Sequence, residues 1–94
     1  MIRFEWDEDK NKLNRKKHGI WFEEGVSIFN DPNYITFLDE EHSDHEDRLI
    51  AIGYNSENKL LIIVHAYREP IERVRIISAR KVTKKERVFY EERI

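Results

Sequence analysis

The sequence predicts an α+β fold: an antiparallel sheet with helices packed on one face, in the order β-α-α-β-β-β-β-α, with residues 1–94 forming a single domain. Three observations predict it. Apolar runs of strand length crowd between residues 48 and 80, with a turn of hairpin length between the first two. Two stretches near the N-terminus carry helix start and stop signals, and a capping box opens a last helix at Thr83.

Taken in order, Ile2, Phe4 and Trp6 alternate with Arg3 and Glu5, which is the period of a half-buried strand. Asp7 then suits a helix N-cap, with Glu8 and Asp9 favourable at the positive end of the following helix. That helix runs to about His18, where Lys16, Lys17 and His18 suit the negative end and Gly19 stops it. Leu13 is its one apolar residue. Phe22 to Asn30 predicts a second short helix, with Phe22, Val26 and Phe29 on one stripe and Asp31-Pro32 ending it. Gly25 in its middle costs roughly 1 kcal/mol against Ala.

Tyr34 to Leu38 reads as a strand, and the acidic stretch Asp39 to Asp47 as a loop. Arg48 to Tyr54 and Lys59 to Tyr67 are strands joined by Asn55-Ser56-Glu57-Asn58. The second of these is apolar on both faces for five residues, which predicts a central position. Glu69-Pro70 is a break, and Val74 to Arg80 is the last strand. Thr83-Lys84-Lys85-Glu86 has capping-box spacing, and the helix it opens carries few apolar residues, Val88, Phe89 and Ile94.

Composition narrows the function classes. A chain of 94 residues buries ~60–70% of its unfolded surface and has room for one core. Its eleven aromatic residues argue against disorder despite a charged fraction of 38%. The absence of cysteine excludes disulfides, thiolate metal sites and cysteine nucleophiles together. The longest apolar stretches, Leu49 to Ile52 and Leu60 to Val64, are too short for a membrane helix. The acidic start, Met1 to Asp9, lacks the basic-then-apolar order of a signal peptide, so a soluble, cytoplasmic protein is expected.

The net charge of −2 hides an asymmetry. Residues 1–58 carry 7 basic and 14 acidic side chains, whereas residues 59–94 carry 10 basic and 5 acidic. A surface sorted in this way can present a phosphate-binding face at a pI near 6, or can simply be a solvated mixture of charges.

Four constellations could carry chemistry. His65 and Arg68 on one strand, with Arg73, Arg75, Arg80 and Lys81 on and around the next, can converge through antiparallel pairing. Cations stabilise the charge of a pentavalent phosphate transition state, and an imidazole can move a proton to or from a 2′-hydroxyl. The alternative makes these arginines paired surface charges and His65 a hydrogen-bonded core histidine. In the loop, Asp39, His42, His45 and Glu46 have metal-ligand chemistry, but an acidic loop of this kind is also an ordinary solvated one. Arg15, Lys16, Lys17 and His18 can contact phosphates or merely complement the helix dipole. Trp21, Tyr54, Tyr67 and Tyr90 can stack on bases or pack in the core.

At these residues the chain resembles the BrnT family of toxins. The resemblance begins with Phe4-Glu5-Trp6-Asp7, Lys10, Asn14, Lys17-His18-Gly19-Ile20 and Phe22-Glu23-Glu24. It continues through Phe29-Asn30-Asp31-Pro32, His42-Ser43 with Glu46 and Arg48, Ile52-Gly53 and Val64-His65 with Arg68. Arg75 to Lys81, Glu86-Arg87 and Tyr90-Glu91 complete it, so it covers almost the whole chain in order. Trp21 departs from the pattern, standing where a small helix-capping residue such as Ser is usual.

The resemblance implies a type II toxin of the RelE-like superfamily: a ribonuclease that blocks translation by metal-free attack of a ribose 2′-hydroxyl on the adjacent phosphate, with no cofactor. It implies a BrnA-type antitoxin as partner, a heterotetramer with it, and contact with operator DNA only through that antitoxin. On the family pattern His65, Arg68 and Arg80 are the catalytic candidates, with Lys17, His18, Arg48, Arg75 and Lys81 binding RNA. Glu46 with Arg48 is a structural or a catalytic pair. The competing reading is a non-catalytic binding module that acts only in an autoregulatory toxin–antitoxin repressor complex.

Overall fold

A computed structural model describes residues 2–43, 46–68 and 72–93, except for the side chain of Arg68. The elements are β1 (Arg3–Glu5), α1 (Glu8–His18), α2 (Phe22–Gly25), β2 (Ile35–Leu38), β3 (Leu49–Tyr54), β4 (Leu60–Arg68), β5 (Arg73–Lys81) and α3 (Lys84–Glu91). The predicted second helix is two pieces. After Gly25 the chain tightens into a 3-10 segment, Val26–Asn30. Another 3-10 turn, Glu40–His42, lies inside the predicted loop. The break at Glu69-Pro70, and Ile94, lie outside the described residues.

Helix ends follow the chemistry of the sequence. The Asp7 carboxylate accepts from the amides of Asp9 and Lys10, and Gly19 closes α1 in the left-handed region at φ 74°. Thr83 accepts from the Glu86 amide, while the Glu86 carboxylate accepts from the amide of Thr83. Trp21 contributes no side-chain cap to α2, and the Glu24 carboxylate accepts its amide instead, at 2.7 Å.

The five strands form one sheet in the order β1-β5-β4-β3-β2. β2, β3, β4 and β5 pair antiparallel, but β1 lies parallel to β5, with Phe4 opposite Val74. The sheet is therefore mixed, not antiparallel throughout. β4 is central as its double-faced apolar run predicts.

A bulge decides which residues share a face. Val64 lies opposite Ser78 but His65 lies opposite Ile76, so Ile77 is the extra residue on β5. Val74 and Ile76 before the bulge, and Ala79 after it, face Ile20, Phe22 and Ile28 in one core cluster with Leu61 and Ile63. Ser78 and Arg80 are turned to the other face. That second face is covered by α3, not left bare: Tyr90 packs with Ile52, Leu60 and Ile62. The expectation of helices on one face fails for this reason, since few apolar positions in α3 hid one fully buried tyrosine.

Two glycines allow close approach. A Cβ at Gly25 would stand 2.5 Å from Ile63 Cδ1, so the residue that weakens α2 as a helix is what seats it on the sheet. At Gly53 a Cβ would meet Tyr34 Cβ at 3.0 Å and the Ile28 carbonyl oxygen at 3.2 Å.

β1 is short, and beyond Arg75 the outer edge of β5 has no strand beside it among the described residues. There α1 docks, through Asn14. The Asn14 amide donates to the carbonyls of Ala79 and Ile20, both at 2.8 Å, and its oxygen accepts from the Ala79 amide at 3.1 Å. Asn11 performs the same task for α2, accepting from the Phe22 amide at 2.7 Å. Both side chains are buried, although they stand in a helix with almost no apolar face.

Replacing Asn14 with Ala strands three buried polar groups and should cost about 2–4 kcal/mol, read as a lowered urea midpoint. A change within a few tenths of a kcal/mol would mean that the α1–β5 junction does not depend on this side chain.

Candidate functional site

Arg80 lines a cleft and lies within electrostatic reach of a neighbouring basic groove. The groove, about 630 Å³, runs between α1 and β5 and is lined by Lys10, Asn14, Lys16, Lys17 and His18 against Ile77 and Ser78. The cleft, about 550 Å³, opens on the second face of the sheet. Its floor is Ile50, Ile52, Ile62 and Val64, and its charged rim includes Asp39, His42, Arg80, Lys85 and Glu86. The bulge turns Arg80 to the cleft side, and His18 in the groove lies within reach of its charge.

The Arg80 guanidinium is fixed by a two-pronged pair with Glu86, both contacts 2.9 Å, and it also donates to the Lys81 carbonyl oxygen at 3.1 Å. Described groups engage three of its five N–H donors. Arg80 holds the Glu86 carboxyl down at about 2, aided by the Thr83 amide against the opposing effect of burial. In the groove, burial, then Lys17, then Arg80 push the His18 imidazole below its ordinary value. Lys17, His18 and Arg80 thus form one electrostatic unit although they lie more than sixty residues apart in sequence.

His65 is elsewhere. It is 4% exposed, lies opposite Ile76 on the face covered by α2 and the 3-10 segment after it, and meets the Phe29 ring edge-on at 5.1 Å. The structure does not bring it together with Arg80: the bulge puts the two on opposite faces. Burial pushes its imidazole below the ordinary value, against a weak opposing contact with the Ile63 carbonyl oxygen. The side chain of Arg68 lies outside the described residues, and its backbone is opposite Arg73 near the far end of β4.

The other candidates disperse. Arg75 pairs with Glu46, so Glu46 has a partner other than the expected Arg48. The backbone of Arg48 bonds to Asp39 and to the Ser43 hydroxyl, which pins the acidic loop to β3. Lys81 lines a shallow hollow with Lys59 and Arg87, away from the cleft. In the loop His42 pairs with Asp39, while His45 lies outside the described residues. Among the described residues no three His, Asp or Glu side chains converge as a metal site. Of the aromatic candidates, Tyr90 is core; Trp21 is 42% exposed with Arg15 over its ring. No helix is long and apolar enough to cross a membrane among the described residues.

Sequence reasoning missed two parts of this site. Glu86 reads as a capping residue, and its second task of holding Arg80 follows from the strand-to-helix turn that no periodicity reveals. Lys10 lies one helical turn before Asn14 on the same face and becomes a groove residue only once α1 is docked on the β5 edge.

Residues 6–86 match the family described as "Ribonuclease toxin, BrnT, of type II toxin-antitoxin system". No curated protein matches the chain. Among solved structures, the crystal structure of the Brucella abortus ribonuclease toxin BrnT is similar, at 22% identity and a TM-score of 0.66. The alignment covers 89% of this chain and 100% of that one.

The burial of His65 has a pH signature. Its folded value lies below that of the unfolded chain, near 6.5, so the unfolded state gains the proton first as pH falls. The stability tied to neutral His65 is complete above that unfolded value and is lost as pH drops from there through the folded value. Urea unfolding of His65→Gln should therefore lose less stability than wild type between pH ~6.5 and 5. Equal slopes would show that His65 takes up its proton without leaving the core. His18 is shifted in the same direction and contributes equally to both proteins.

Proposed function

The chain belongs to the family of BrnT ribonuclease toxins of type II toxin–antitoxin systems, and on that premise we propose that it is a metal-independent endoribonuclease with its chemistry at Arg80. It acts in the cytoplasm, stops growth by inhibiting translation, and is held inactive by a BrnA-type antitoxin. The two assemble as a heterotetramer that meets operator DNA through the antitoxin. We place it with the RelE-like enzymes.

One observation carries the reading: Arg80, held by Glu86, lines an open cleft and acts electrostatically on His18 of the neighbouring lysine-lined groove. Lys10, Lys16 and Lys17 supply the long cations that track a phosphate backbone without reading bases. The phosphate that reaches Arg80 meets a planar donor whose orientation is already set, so little reorganisation accompanies reaction. In the step, the ribose 2′-oxygen bonds to phosphorus as the bond to the 5′-oxygen breaks. The 2′-hydroxyl gives up its proton and the departing 5′-oxygen gains one, leaving a 2′,3′-cyclic phosphate. Arg80 offsets the extra negative charge on the phosphorane, which is the service a metal ion would otherwise supply.

Of the family-pattern candidates, Arg80 is retained as catalytic, and Arg68 remains one on the resemblance alone. His65 is assigned to packing, because an imidazole enclosed against Phe29 has no path to a 2′-hydroxyl. Lys17 and His18 stay as RNA-binding residues. Arg75 is assigned to holding Glu46, and Arg48 to anchoring the loop.

Purified chain without antitoxin should cleave RNA in EDTA, and Arg80→Ala should slow cleavage by about 100-fold or more at a temperature where circular dichroism shows the variant, weakened by loss of the Glu86 pair, still folded. Cleavage that stops in EDTA would overturn metal independence. A well-folded wild type that cleaves no RNA, alone or with ribosomes, would leave only the binding module.

RNA affinity should fall steeply between ~50 and 200 mM salt as counterions are released, and less steeply for Lys16→Gln combined with Lys17→Gln. A salt response unchanged by these substitutions would move RNA binding away from the groove.

A further inference from the structure

Described histidines number three, His18, His42 and His65, and each has a different setting. His65 is enclosed. His18 lies in a field of cations that disfavours its taking a proton. His42 is 61% exposed at the rim of the cleft, and its Nδ1 meets both Asp39 carboxylate oxygens, at 3.0 and 3.2 Å. An ionised carboxylate only accepts hydrogen bonds, so Nδ1 carries the proton and Nε2 is the basic nitrogen of the neutral ring.

The Asp39–His42 pair is held in place although it belongs to a loop. The Asp39 amide donates to the Arg48 carbonyl oxygen at 2.7 Å, the Ser43 hydroxyl donates to the Asp39 carbonyl oxygen at 2.6 Å, and the Arg48 amide donates to the Ser43 hydroxyl at 3.0 Å. These bonds tie the turn at the end of β2 to the start of β3, beside Ile50 on the cleft floor. The Asp39 side chain is 15% exposed, so its carboxylate is held in place as the acceptor for the imidazole Nδ1. Across the cleft stand Arg80, Lys85 and Glu86, with Glu41 beside His42 on the near rim.

We infer that His42, oriented by Asp39, is the proton-transfer residue of the cleavage reaction at the cleft that Arg80 closes from the other side. The inference rests on the ribonuclease reading. With the phosphate against Arg80, Nε2 of His42 takes the proton of the attacking 2′-hydroxyl as the oxygen–phosphorus bond forms. The 5′-oxygen departs with a proton from water, and imidazolium then returns its proton to solvent. His42 is thus a catalytic residue that touches the ribose, and Asp39 is a positioning residue that fixes the tautomer and the ring orientation.

The experiment is a pH–rate profile of RNA cleavage by the purified chain, compared among wild type, His42→Gln, Asp39→Asn and His18→Gln, with RNA affinity measured in parallel. His42→Gln should lose 10²–10⁴-fold in rate at unchanged affinity and lose the acid limb of the profile. Asp39→Asn should lose less rate, again at unchanged affinity, because the amide no longer fixes the tautomer of the ring. His18→Gln should weaken affinity with the limb intact. Added imidazole should restore part of the rate to His42→Gly. If wild type cleaves and His42→Gln cleaves as well as it does, or if the limb disappears in His18→Gln instead, the assignment of His42 is overturned while the ribonuclease reading stands. If wild type cleaves no RNA, both fall together.

Discussion

The outer edge of β5 must be satisfied, and the way it is satisfied sets the rest of the molecule. β1 covers only the first three residues of that strand, and the backbone of Ala79 would otherwise present an unpaired donor and acceptor to the core. Asn14 completes the pairing from a helix, acting as one rung of a missing strand. A helix docked by its amides needs no apolar stripe, so α1 can keep Lys10, Lys16 and Lys17 along a groove wall. The same contact delivers His18 to the level of Arg80. Polar docking and a basic groove are two results of one residue.

The bulge at Ile77 does the complementary work on the sheet. It lets β5 contribute Val74, Ile76 and Ala79 to one core, then turn Ser78 and Arg80 to the opposite face. There the chain re-enters through Thr83, and Glu86 arrives one helical turn into α3 in register with Arg80. Asp31 closes the other end of this face. Burial favours its neutral form, but the Tyr90 hydroxyl and the amides of Tyr54 and Asn33 prevail and keep the carboxyl below its usual range. Tyr90 is in turn pushed up by burial and by Asp31, so α3 is fastened at both ends by carboxylates. Between these fastenings Arg87 donates to the Tyr54 hydroxyl and Phe89 meets the Phe37 ring edge-on beside the cleft.

Much of this was readable from residue order. The cap at Asp7, the stop at Gly19, the capping box at Thr83 and the central position of β4 are local or compositional signals, and each appears where those signals put it. Three things were not readable, for one reason. The parallel pairing of β1, the bulge at Ile77 and the docking of Asn14 are all long-range choices, decided by partners about 65 residues away or more, or by a local slip of register that alternation cannot reveal. Simple alternation along β5 puts Arg80 on the face of Ile76, and hence of His65, and so assembles a site that the bulge takes apart. The resemblance to BrnT toxins fixed the family correctly, yet it could not say which face each residue occupies.

The mixed sheet has a consequence for when the protein becomes a folded object during its synthesis. β2, β3 and β4 are joined by near-neighbour hairpins and can pair as soon as they emerge. β1 and α1, although made first, have their binding sites on β5, so their contacts carry the longest loop-closure cost in the chain. The groove between α1 and β5 therefore does not exist in a nascent chain that has not yet exposed β5. The groove lysines are present from the start, but the surface that organises them is the last to form, so a half-made polypeptide carries the charges without the groove.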